Sequence, residues 1–80
     1  MDRLILMRHA KAERRSASGD DFDRLLTDDG RGDAAMVGLA LAKDGLAPTL
    51  VLVSAAQRAV ETWETMRGSF PRARTQVLRR

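Results

Sequence analysis

The chain has 80 residues, 44% hydrophobic and 31% charged, with no cysteine and a formal net charge of +3. That length allows one small domain, which buries only about 60–65% of the surface its unfolded chain exposes. The missing cysteines exclude disulfides, zinc–thiolate sites and thiol nucleophiles, and no apolar run approaches the ~20 residues of a membrane span. The basic charge is local. Residues 1–66 carry nine Lys and Arg against all eleven acids, a net of −2, whereas residues 67–80 carry five arginines and no acid, a net of +5. A nucleic-acid footprint spreads along a face and includes stacking aromatics; with only Phe22, Trp63 and Phe70 as aromatics, a nucleic-acid partner is not expected. The apolar start Leu4–Met7 is too short for a signal peptide, so a cytoplasmic protein without a membrane role is expected.

Leu4-Ile5-Leu6-Met7 reads as a strand buried on both faces. Residues 10–23 are polar, with Ser16, Ser18, Gly19 and three aspartates, and read as a loop. Thr27-Asp28-Asp29 is a helix start: the hydroxyl can accept from a free backbone N–H, and the carboxylates sit at the positive end of the dipole. Gly30 stands where a capping box would want Glu or Gln. Met36, Leu39, Ala40 and Lys43 follow i, i+3, i+4, i+7 spacing, which predicts the packed stripe, and Gly45 predicts the stop. The glycines at 30, 32 and 38 each cost this helix about 1 kcal/mol relative to alanine, so it requires tertiary packing.

Leu50-Val51-Leu52-Val53 predicts a second strand. Gln57–Arg67 predicts a second helix, with Ala56, Val60, Trp63 and Arg67 on one stripe and Gly68 and Pro71 beyond its end. Thr75-Gln76-Val77-Leu78 predicts a third, weaker strand. Strand–helix–strand–helix–strand with short connections implies an α/β fold with a parallel sheet flanked by helices. Two helices cover one face of such a sheet at best, so the pattern resembles the first half of an α/β domain. Trp63 and the methionines are expected in the core.

Ligands of parallel sheets bind outside the carboxyl ends of the strands. Arg8 and His9 follow the first strand, and Arg58 lies in the turn that opens the second helix. Singly, they read as a strand-end charge, a surface or capping histidine and a solvated helix residue. If the two strands are neighbours, they converge at one rim. Two guanidiniums beside a helix start suit a phosphate, and a neutral imidazole there is a nucleophile for phosphorus. The aspartates follow no calcium-loop pattern, and one histidine without cysteine does not make a transition-metal site. Ser54 lacks a nucleophile elbow, and no phosphate-cradling glycine loop is present.

Taken together, three segments resemble the histidine phosphatase superfamily, with its phosphoglycerate mutase-like fold. Leu4-Ile5-Leu6-Met7-Arg8-His9-Ala10 resembles its strand followed by Arg-His-Gly. Leu26-Thr27-Asp28-Asp29-Gly30 resembles its Leu-Thr-x-x-Gly helix start. Val51 to Thr62 resembles its strand, Ser-Pro-x-x-Arg-Ala-x-x-Thr, helix signature. The short spacings look most like the SixA-type phosphohistidine phosphatases. On this resemblance residues 1–80 are a single domain or the N-terminal half of one, truncated after the third strand. His9 is implied as the phosphorylated nucleophile, with Arg8, Arg58 and a further arginine, Arg24, holding phosphoryl oxygens. No metal or organic cofactor is implied. The implied substrate is phosphohistidine on a protein; a small phosphate ester, or phosphoryl binding without turnover, are the alternatives. Ala10 and Ala55 replace the commoner glycine and proline. The family's second pocket histidine has no counterpart, since His9 is the one histidine in the sequence. The oligomeric state is left open.

Overall fold

The structure is a computed structural model that describes Met7 and residues 9–78. The expected strand over 4–7 therefore lies outside the described residues apart from Met7, and so does Arg8.

Helix α1 spans Asp28–Lys43 and strand β1 spans Leu50–Ser54. Helix α2 spans Gln57–Met66 and strand β2 spans Arg74–Leu78, with short 3-10 turns at Asp21–Asp23 and Arg67–Ser69. The two strands pair in parallel, Leu50 opposite Arg74 through Ser54 opposite Leu78. Parallel neighbours need a crossover of a dozen or more residues, and α2 with its following turn supplies it. Along β1 side chains alternate between faces. Val53 is buried and Val51 half-buried toward the core, while Leu50 and Leu52 are 50% and 58% exposed on the other face. One face of this sheet is covered, as two helices allow.

The core joins Ala34, Val53, Trp63, Met66 and Phe70. Trp63 stacks on Phe70 with ring centroids 6.1 Å apart. The Trp63 indole N–H donates to the Thr75 hydroxyl at 2.8 Å, so the polar end of the ring is satisfied where it meets β2. Trp63 and Met66 are core residues as expected; Met7 and Met36, at 46% and 69% exposed, are not. The 10–23 segment is loop apart from a bridge between Ala12 and Leu26 and the turn at Asp21–Asp23.

The ends of α1 follow local chemistry. The Thr27 hydroxyl accepts from the Gly30 N–H at 2.9 Å, which completes the half of the capping box that the sequence allows. At the other end the Gly45 N–H donates to Ala42 and the Leu46 N–H to Leu41, at 3.1 and 2.9 Å. This is the Schellman arrangement, and it requires the left-handed φ of 73° at Gly45.

The expected stripe of α1 is corrected. Met36, Leu39, Ala40 and Lys43 are all exposed, and the buried positions are Gly30, Ala34 and Gly38. The reason is distance. A Cβ at Gly38 would sit 2.7 Å from the Met66 Cβ, and one at Gly30 would collide with the Lys11 carbonyl. α1 thus lies against α2 and the 10–12 segment too closely for a large side chain, and the small residues face inward. The expected stripe of α2 holds for Ala56, Val60 and Trp63, but Arg67 is exposed and pairs with Glu64 at 3.1 Å.

Candidate active site

β1 ends at Ser54, and the Ala55 N–H still donates to the Leu78 carbonyl at 3.0 Å, one rung past the strand. The chain then turns at Ala56, which offers no side-chain cap, into the first turn of α2. Arg58 sits in that turn. Its side chain is 20% exposed, and its Nη1 donates to the backbone carbonyl of Asp21 at 2.9 Å.

One helical turn further on, the buried Thr62 hydroxyl donates to the Arg58 carbonyl at 2.7 Å and accepts from the Ala10 N–H at 3.0 Å. A single hydroxyl therefore ties the residue after His9 to the helix turn that carries Arg58. His9 itself is half-buried, and its Nδ1 lies 2.7 Å from the Ala10 carbonyl. A carbonyl only accepts, so Nδ1 carries the proton in this contact. In the neutral ring the lone pair is then on Nε2, the tautomer that a nucleophilic imidazole needs.

Arg24 approaches from the loop. Its Nη1 donates to the Glu13 carbonyl at 3.2 Å, and its Nε lies 2.9 Å from Asp21 Oδ1. That Nε–H is not aligned on the carboxylate, and it is the buried side-chain polar atom without a hydrogen bond among the described residues. Asp21 Oδ2 lies 3.4 Å from Arg58 Nη1. Arg24 and Arg58 thus converge around Asp21. Beside them an open depression is lined by Arg14, Arg15, Arg24, Asp20 and Asp21.

Glu61 holds the loop in place. Its Oε1 accepts from the Leu26 N–H at 2.7 Å and its Oε2 pairs with Arg31 at 3.1 Å. Leu26, 1% exposed, is the most deeply buried large side chain. The guanidinium of Arg31 also donates to Asp28 at 2.6 Å. That hydrogen bond is the main cause, with Glu61 behind it, of a pKa raised above the usual arginine value.

Of the residues singled out in the sequence, Arg24 and Arg58 therefore meet at Asp21, Thr62 links the residue after His9 to the backbone of Arg58, and Arg8 is outside the described residues. Asp21, Glu61 and Thr62 make the contacts that hold this region together, and sequence reasoning did not single them out. Glu61 and Thr62 stand inside the Arg-Ala-x-x-Thr segment, so their signal was present. Asp21 had none beyond being one of several loop aspartates. Among the described residues no three His, Cys, Asp or Glu side chains group to hold a metal ion, and no helix is long and apolar enough to cross a membrane.

Known proteins resemble this chain in sequence and fold. The model of the histidine phosphatase superfamily (branch 1) matches residues 4–79. An uncharacterized chloroplastic protein of Arabidopsis thaliana is 44% identical over 64 residues, covering 80% of this chain and 29% of that protein. Among solved structures, the protein assigned as phosphohistidine phosphatase SixA in Agrobacterium tumefaciens superposes over 90% of this chain with a TM-score of 0.83 and 29% identity. A protein histidine phosphatase SixA complexed with tungstate does so over 90% with a TM-score of 0.81 and 29% identity. The counterpart from Nakamurella multipartitia matches 94% of the chain with a TM-score of 0.69 and 36% identity. The chain spans less than half of each of these three solved chains, 47%, 46% and 39% respectively. With the fold, the arginine-rich rim and a family match across nearly its whole length, the chain belongs to branch 1 of the histidine phosphatase superfamily.

Proposed function

We propose that the protein transfers a phosphoryl group from phosphohistidine on a protein to His9 and then to water. The observation that carries this reading is the hydrogen bond from His9 Nδ1 to the Ala10 carbonyl, which leaves the Nε2 lone pair for attack on phosphorus. The Nε2–P bond forms as the P–N bond breaks in a substrate ring protonated on its other nitrogen; the P–N electron pair stays on that ring, which leaves as neutral imidazole. Water then attacks the phosphorus, the Nε2–P bond breaks, and inorganic phosphate leaves. Arg8, Arg24 and Arg58 carry the charge of the phosphoryl oxygens through planar donor forks. Tungstate bound to a SixA relative supports this reading, because it is a tetrahedral oxyanion like phosphate.

Imidazole is a better leaving group than an alkoxide, so a phosphohistidine substrate places less demand on a general acid. The convergence of Arg24 and Arg58 also supports a second reading, phosphoryl binding without turnover.

The test is a phosphoenzyme trap. Incubation with labelled phosphoramidate is expected to give an acid-labile adduct on His9 that is absent from His9→Ala. An unlabelled wild-type protein that still binds phosphate selects the binding reading, and label retained by His9→Ala refutes the nucleophile.

A further inference from the structure

We propose that the Asp21 carboxylate is an internal stand-in for the phosphoryl group, occupying the seat between Arg24 and Arg58 and leaving it when an anion binds. The inference rests on the reading of those arginines as the phosphoryl seat.

Three observations carry it. The first is relative exposure. The Arg24 and Arg58 side chains are 24% and 20% exposed, whereas Asp21 is 72% exposed. The carboxylate is the solvent-accessible member of the trio, and the guanidiniums are the sheltered ones.

The second is the quality of the contacts. Asp21 Oδ2 is 3.4 Å from Arg58 Nη1, beyond the usual range of a good N–H···O bond. Arg24 Nε is close to Oδ1 but not aligned on it. One carboxylate is facing two guanidiniums and satisfies neither fully. A phosphoryl group has more oxygens and more negative charge, and so matches the pair better.

The third is that neither arginine depends on the carboxylate for its position. Arg58 is anchored by the Asp21 backbone carbonyl at 2.9 Å and Arg24 by the Glu13 carbonyl at 3.2 Å. The 3-10 turn is held by Asp20, whose carboxylate accepts from the Phe22 N–H. The Asp21 side chain can therefore leave while the arginines stay. A carboxylate that merely positioned them would show the reverse dependence.

The experiment is titration of the full chain with inorganic phosphate, followed by calorimetry and by the arginine Nε–H signals in NMR, for wild type, Asp21→Asn, Asp20→Asn and Arg58→Ala. Asp21→Asn is expected to bind phosphate about 2- to 5-fold more tightly, the scale of an exposed ion pair removed. Asp20→Asn removes the same charge one residue away and keeps an acceptor for Phe22, so its gain is expected to be smaller. Equal or weaker binding by Asp21→Asn, or an equal gain in Asp20→Asn, overturns the stand-in. The seat itself survives that result if Arg58→Ala loses phosphate. If Arg58→Ala binds phosphate as wild type does, or if no protein binds it, the seat is wrong and the stand-in falls with it.

Discussion

The two helices bury different kinds of surface. α2 is ten residues long and turns Thr62, Trp63 and Met66 inward. α1 is sixteen residues long and turns Gly30, Ala34 and Gly38 inward, leaving Met36 and Leu39 in solvent. α2 is held by bulk and α1 by closeness. Apolar periodicity identifies the inward face of a helix that contributes large side chains to a core. It misidentifies a helix whose contact is decided by how near two backbones come.

That contrast can be broken at three places, from the largest effect to the smallest. Trp63→Ala removes the largest core side chain, its stacking on Phe70 and the donor to Thr75. A loss of about 3–5 kcal/mol is expected in urea unfolding, enough to threaten a domain this small.

Gly38→Ala sets propensity against packing. Helix propensity alone favours alanine by up to about 1 kcal/mol. The new Cβ, 2.7 Å from the Met66 Cβ, costs about 1–3 kcal/mol as an overpacked contact. A net loss of up to about 2 kcal/mol is expected, and a gain in stability would show that the helices are not in close contact. Leu39→Lys, on the stripe that periodicity marks as buried, is expected to change stability by no more than about 0.5 kcal/mol. A large loss in thermal unfolding would restore the periodic reading of α1.

Much of the fold was legible from local chemistry. Thr27 and Gly45 marked the two ends of α1, and Ala56, Val60 and Trp63 marked the inner stripe of α2. Two apolar runs separated by a crossover length gave the parallel pair. The inner face of α1 was not legible, because a glycine reads as a propensity cost until the neighbour that needs its missing Cβ is known. The site divides similarly. His9 and Arg58 stood at positions where strand ends and helix starts make chemistry possible, and Arg24 came only from the family resemblance. The roles of Thr62 and Glu61 depend on partners far along the chain, Ala10 and Leu26, and such partners follow only from the packed fold. Asp21 is the extreme case. Its backbone carbonyl and its carboxylate engage Arg58 in different ways, and a sequence does not separate the two.

The rung from the Ala55 N–H to the Leu78 carbonyl bears on the order of events during synthesis. The turn that launches α2, and with it Arg58, is pinned by a residue of the last strand described. On the ribosome, the carbonyls of Glu13 and Asp21 that receive Arg24 and Arg58 are made before those arginines. The arginine pair can gather early around Asp21, but the rung at the start of α2 closes only after residue 78 has emerged.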